Sequence, residues 1–151
     1  MVTTTGLLGK LPAEYRSRLH ELGREVSFPI DTRLFTEGGK ADRFWVLRTG
    51  SVTLDVHVPG RRPVPIETLG HGELIGWSWL FPPYTWHLGA LTASPVRALE
   101  FDAQEVRELC ERDSGLGQAL TYVCAEAISH RLQRARMRLV DLYQGGSVAV
   151  W

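Results

Sequence analysis

Between residues 26 and 101, apolar side chains come in short runs broken by glycine and proline. The runs cover 26–28, 33–35, 44–47, 52–58, 64–69, 87–92 and 96–101. Turn formers stand between them: Gly38-Gly39, Thr49-Gly50, Pro59-Gly60, Gly70-His71-Gly72 and Ser94-Pro95. Short strands at this spacing predict an all-β roll or barrel. The clearest alternation is in 52–58. Val52, Leu54, Val56 and Val58 fall on one face, and Thr53, Asp55 and His57 on the other.

The flanks have a helical period. Leu11-Pro12 opens a short helix with Tyr15, Leu19 and Leu22 on one side, and Gly23 ends it. After the strands, Asp102 is the expected N-cap of a helix over 103–112, with Glu105 three positions on. Ser114 is the expected cap of a longer helix to about Tyr143. Its apolar positions, from Leu116, Leu120, Val123 and Ala127 to Leu139 and Leu142, recur every three or four residues. Such a helix of about 29 residues spans about 43 Å. That exceeds what a small roll can cover, so part of the stripe should seek a second chain. Residues 1–10 read as a flexible lead. Gly145-Gly146 reads as a helix stop, leaving 144–151 as a tail. The expected fold class is mainly β with flanking helices: one domain over 11–143, with the roll in 26–101 and helices in 103–143.

Composition narrows the function more than the fold. The chain has 151 residues, 44% apolar and 23% charged, enough for one domain with a real core. Lys plus Arg and Asp plus Glu number 17 each, so no basic excess points to nucleic acid. No stretch approaches the roughly 18 apolar residues of a membrane span, and no signal peptide is recognisable, so a cytoplasmic location is expected. Cys110 and Cys124 read as buried thiols. None of His20, His57, His71, His87 and His130 stands at metal-ligand spacing. Gly-x-Ser-x-Gly and phosphate-cradling Gly-rich loops are absent, and no enzyme activity is expected.

Two turn signatures carry a family resemblance. The first runs from Leu34 through Glu37-Gly38, Ala41-Asp42 and the apolar strand Phe44–Leu47 to Gly50-Ser51-Val52. The second is Leu69-Gly70-His71-Gly72-Glu73-Leu74-Ile75-Gly76. With the order of elements, they resemble the cyclic nucleotide-binding domain, the sensor half of bacterial cyclic-AMP-receptor and Fnr-type regulators. The resemblance covers about 11–143 and implies a jelly-roll-like β-roll, or double-stranded β-helix, followed by a dimer helix. In those regulators a helix-turn-helix follows. Here eight residues follow Tyr143, so the resemblance implies a free-standing sensor without specific DNA binding.

The resemblance also says where to look for a ligand. In the family a short cassette helix begins Gly-Glu, and an Arg with a small hydroxyl residue follows nine or ten positions later. The Glu takes the ribose, and the Arg and the helix N-terminus take the cyclic phosphate. With Gly76 as the cassette glycine, the Glu position is Trp77 and the Arg position is Trp86 or His87. Glu73 precedes Gly76 and belongs to the turn. The purine-contacting pair of the dimer helix falls near Ala135 and Arg136.

The candidate pocket is therefore Gly76, Trp77, Ser78, Trp79, Trp86, His87 and Arg136. Three readings remain open. The aromatics fill the nucleotide space, or they line a pocket for a planar or apolar effector with His87 or Ser78 as polar handle. Otherwise the cassette helix N-terminus alone retains a nucleotide. No cofactor is expected. Pro82-Pro83 reads as a rigid turn beside the cassette. The expected partner is a second copy, packed in parallel through Leu120, Val123, Ala127 and Leu139, with another protein as the alternative. The run Arg131, Arg134, Arg136, Arg138 reads as a solvated face.

Overall fold

A computed structural model describes residues 6–149. Strands form where apolar runs meet turn glycines. They are β1 (Arg24–Phe28), β2 (Arg33–Phe35), β3 (Arg43–Thr49), β4 (Val52–Val56), β5 (Val64–Leu69), β6 (Leu74–Ile75), β7 (Gly89–Thr92) and β8 (Val96–Asp102). They pair into two four-stranded sheets, β1-β8-β3-β6 and β2-β7-β4-β5. All the pairings are antiparallel. The turns at Gly38 and Gly50 have φ of 87° and 92°, which only glycine adopts cheaply. At Gly50 a Cβ would also lie 2.2 Å from the Pro95 carbonyl oxygen.

Helix α1 (Ala13–Leu22) precedes the roll, and α2 (Ala103–Arg112) and α3 (Ser114–Ala149) follow it. One core joins both sheets to the helices through Phe44, Leu47, Leu69, Ile75, Leu99, Phe101, Leu116 and Leu120. Asp102 caps α2 as expected, its side chain accepting from the Glu105 N–H.

Several expectations need correction. The lead 1–10 is not free over its described part. Leu7 and Leu8 are buried, the Leu7 N–H donates to the Gly72 carbonyl, and Leu8–Lys10 forms a 3-10 turn. Two adjacent leucines and Leu11 supply an apolar anchor that composition alone does not reveal. Residues 1–5 lie outside the described residues. The cap of α3 is Asp113, whose carboxylate accepts from the Leu116 N–H, and Ser114 is already helical. Asp113 is also the C-cap of α2, so a single residue bends the chain between the two helices.

Gly145-Gly146 does not stop α3, which continues to Ala149. Glycine in a helix interior costs about 1 kcal/mol relative to alanine but does not forbid the conformation. The expected tail thus has no separate existence up to 149, and 150–151 lie outside the described residues.

Asp55 departs from the alternation that placed it on the polar face. The register with β5 shifts between Leu54 and Asp55, and this bulge leaves both residues buried. The Asp55 carboxylate is held by Arg33 through two hydrogen bonds of 2.8 and 2.9 Å. That hydrogen-bonded partner raises the Arg33 pKa against the opposing effect of burial.

Burial, reinforced by the neighbouring Cys110, pushes the Cys124 thiol up to about 12, and Cys110 is raised by burial first and Glu111 second. Only thiolates react readily with disulfide reagents. At pH 8 the native protein is therefore expected to release no colour from Cys124 and only a slow phase from Cys110 in an Ellman titration. Both should react at once in denaturant. A fast native phase of two thiols would contradict this packing.

Candidate functional site

The cassette begins where β6 ends at Ile75. Gly76 has φ of 95°, and a Cβ there would lie 2.5 Å from the six-membered ring of Trp86. The indole of Trp86 thus occupies the space that a side chain at Gly76 would need. Trp86 is 5% exposed and stacks on Phe35 with ring centroids 3.8 Å apart. Its backbone is pinned as well: its N–H donates to Gly39, and its carbonyl accepts from Gly38. The turn leading into it contains a cis Pro82-Pro83 bond.

Around this ring the free space has shrunk to about 20 Å³, bounded by Phe35, Trp77, Ser78, Trp86, His87 and Arg131. One water needs about 10–15 Å³ on such a measure. A drug-sized ligand pocket is typically about 300–1,000 Å³. The cassette is packed.

The other cassette residues lie as follows. Trp77 is half-buried and stacks parallel to His87 at 6.0 Å. Ser78 is buried, its hydroxyl 3.2 Å from His87 Nδ1. Among the described residues, the hydrogen bonds to exposed His87 include no carboxylate, the third group that orients the base in the usual nucleophilic pair. Trp79 does not line the space at all. It is buried against Phe44, with centroids 4.1 Å apart, and its N–H donates to the Gly76 carbonyl at 3.0 Å. Indole needs one acceptor when buried, and the turn supplies it. The expected cassette helix is only a three-residue 3-10 turn, Ser78–Leu80. A turn this short carries far less of a macrodipole than the helix that the reading based on a helix N-terminus assumes.

Residues 25–113 match the family model described as the cyclic nucleotide-binding domain. The chain belongs to the cyclic nucleotide-binding domain family. It is 27% identical over 117 residues to a CRP-like cAMP-activated global transcriptional regulator of Mycobacterium tuberculosis, covering 78% of this chain and 50% of that protein. The chain therefore spans half the length of that relative. Among solved structures it resembles a putative cyclic nucleotide-binding protein of Geobacter metallireducens. The TM-score there is 0.75 with 27% identity, over 87% of this chain and 99% of that one. The fold is also that of the Thermus thermophilus catabolite activator protein, with a TM-score of 0.72 and 19% identity over 92% of this chain and 63% of that one. Among the described residues, no helix is long and apolar enough to cross a membrane.

On this family fold, α3 brings a different arginine to the cassette than expected. Arg136 is exposed and outside the cavity; Arg131 borders it. The helical period carried that signal. Leu116, Leu120, Val123 and Ala127 step by four, three and four, and Arg131 and Arg134 continue the same face. The basic run is thus split. Arg136 and Arg138 are exposed, whereas Arg134 turns back to the roll and bridges Glu67 at 2.7 Å and Glu73 at 2.9 Å. Burial lowers the Arg134 pKa, but the Glu73 hydrogen bond and the charges of Glu73 and Glu67 outweigh it, and the net shift is upward.

The expected dimer stripe is corrected by the same rotation. Leu120 and Val123 are buried in the chain's own core and Ala127 packs partly against it; of the four, only Leu139 is free, at 68% exposure. The face left open is Thr121, Ala125, Ile128, Leu132, Ala135, Leu139 and Leu142, all exposed except half-buried Ile128. Their spacing alternates four and three, a heptad seam.

Proposed function

We propose that this chain is a non-enzymatic regulatory module of the cyclic nucleotide-binding fold whose nucleotide space is filled by its own Trp86. It acts by pairing through α3 and not by reading cyclic AMP or cyclic GMP, and it carries no cofactor. The observation that carries this reading is the Trp86 ring lodged against Gly76, with about 20 Å³ left beside it.

The chemistry at the anchor positions supports the same reading. Trp77 stands where the family has a carboxylate, and an indole only donates. Charge-assisted hydrogen bonds contribute roughly 1.5–3 kcal/mol each, so two lost anchors weaken a micromolar site by about two to four decades. Titration of either nucleotide, followed by calorimetry and tryptophan fluorescence, is expected to show no saturation in the micromolar range. Saturable binding tighter than about 10 μM would overturn the proposal.

Pairing rests on α3. From Leu132 to Gln144 every residue of the helix is exposed in the single chain. Leu132, Met137, Leu139, Val140, Leu142 and Tyr143 are large apolar groups among them. An isolated helical extension of this length is marginal in water without a packed face. A second copy in parallel register covers the heptad seam on both chains at once, as a two-fold axis along the helix requires.

A further inference from the structure

The cassette is not the only cavity that Arg131 borders. A second space of about 120 Å³, which Arg131 also lines, lies between α3, the N-terminal lead and the turn between β5 and β6. Its walls carry Lys10, His71, Glu73, His130, Arg131 and Arg134. Most of the charged groups there already have partners. Lys10 pairs with Glu126 at 2.7 Å, and Arg134 with Glu67 and Glu73. Both oxygens of Glu73 are in use, one by Arg134 and the other by the Gly70 N–H.

Arg131 differs. Among the described residues its guanidinium has no hydrogen bond and no ion pair, although burial lowers its pKa and Glu67 and Glu73 act against that shift. A guanidinium carries five N–H donors in a planar fork and stays charged in proteins. The side chain is half-buried and lines a cavity of about 120 Å³, large enough for one small ion.

We propose that this seam is a binding site for a phosphoryl group, with Arg131 as its principal ligand and Lys10 and the two histidines on the surrounding walls. Cationic side chains reach the space from separate elements: Lys10 from the lead, and Arg131 and Arg134 from α3. That arrangement suits the oxygens of a tetrahedral ion better than the two of a planar carboxylate. The volume excludes a whole nucleotide from the seam itself, and Arg131 is the one residue its lining shares with the cassette space. A bound phosphoryl group would contact both the lead and α3, and so fasten the helix to the roll at the point where its free extension begins.

The test is calorimetric titration of the full chain at constant ionic strength with inorganic phosphate and, separately, with glycerol 3-phosphate. Saturable binding at about 1 mM or tighter is expected for at least one of them. Tighter binding of phosphate identifies the free ion, and tighter binding of the ester identifies a phosphorylated metabolite. Arg131→Gln is expected to weaken it by about tenfold or more, and Arg131→Lys by less, because it keeps the charge and loses the fork. Arg136→Gln, on the exposed face, should leave it unchanged, and the melting temperature of each free variant reports that the fold persists. No saturation of either compound up to about 20 mM, or equal weakening by Arg131→Gln and Arg136→Gln, overturns the proposal.

Discussion

Trp86→Ala is expected to lower the unfolding free energy by about 3–5 kcal/mol, the range for removing a large buried aromatic. The indole is 5% exposed, stacks on Phe35 and lies against Gly76, so its loss leaves a cavity that glycine cannot fill. Backbone hydrogen bonds from Gly38 and to Gly39 hold residue 86 in place whatever its side chain. The wall should therefore persist and the hole should stay open. An apolar cavity of that kind binds small aromatics. Millimolar indole is accordingly expected to raise the melting temperature of the variant and leave the wild type unchanged. Urea unfolding measures the first effect and a thermal scan the second. A loss below about 1 kcal/mol, with no response to indole, would mean that Trp86 is not what closes the cassette.

The second large effect concerns assembly. Leu132→Glu combined with Leu139→Glu is expected to turn a dimer into a monomer at tens of micromolar, seen by sedimentation. The two leucines are 54% and 68% exposed in the single chain, so the roll does not need them. Burying one leucine contributes about 1.5–3 kcal/mol, and both chains lose two, which amounts to several decades of affinity. Val123→Glu is the contrasting variant. Val123 is 5% exposed within the chain's own core, so a charge there should unfold the protein and not merely separate two copies. Wild-type protein sedimenting as a monomer at those concentrations would remove the pairing proposal.

The outcome at α3 shows where a sequence stops being informative. Its apolar residues occupy two adjacent faces: Leu116, Leu120 and Val123 on one, Ala125, Leu132 and Leu139 on the other. Both faces have helical spacing and similar hydrophobicity. Periodicity cannot say which belongs to the roll and which is left for a partner, because the choice depends on how Asp113 turns the chain between α2 and α3. The same angle decides that Arg131 reaches the cassette and Arg136 does not. It also decides that Arg134 meets Glu67 and Glu73, residues more than sixty positions away.

The strands were legible for a local reason. Strands β2, β3 and β6 end shortly before a glycine that takes positive φ, and Gly38, Gly50 and Gly76 mark those places in the sequence itself. The cap at Asp102 is equally local, a side chain meeting an N–H three residues away. That Trp77 follows Gly76, where the family resemblance implies a carboxylate, could be read from the sequence. What spacing could not decide was whether the cassette aromatics line a pocket or fill it. That required the distance from Trp86 to Gly76 across a turn, and the separation of Trp79, which faces Phe44, from Trp86, which faces Phe35. Similarly, Asp55 alternates as a solvent residue and becomes buried only through a bulge and Arg33. Leu7 and Leu8 read as lead until Gly72 accepts the Leu7 N–H. The sequence by itself determined the roll and its turns, because these rest on contacts within a few residues. The tertiary structure alone decided which side chains close the cassette and which arginine is left unpaired, because those contacts join segments whose relative placement no local pattern encodes.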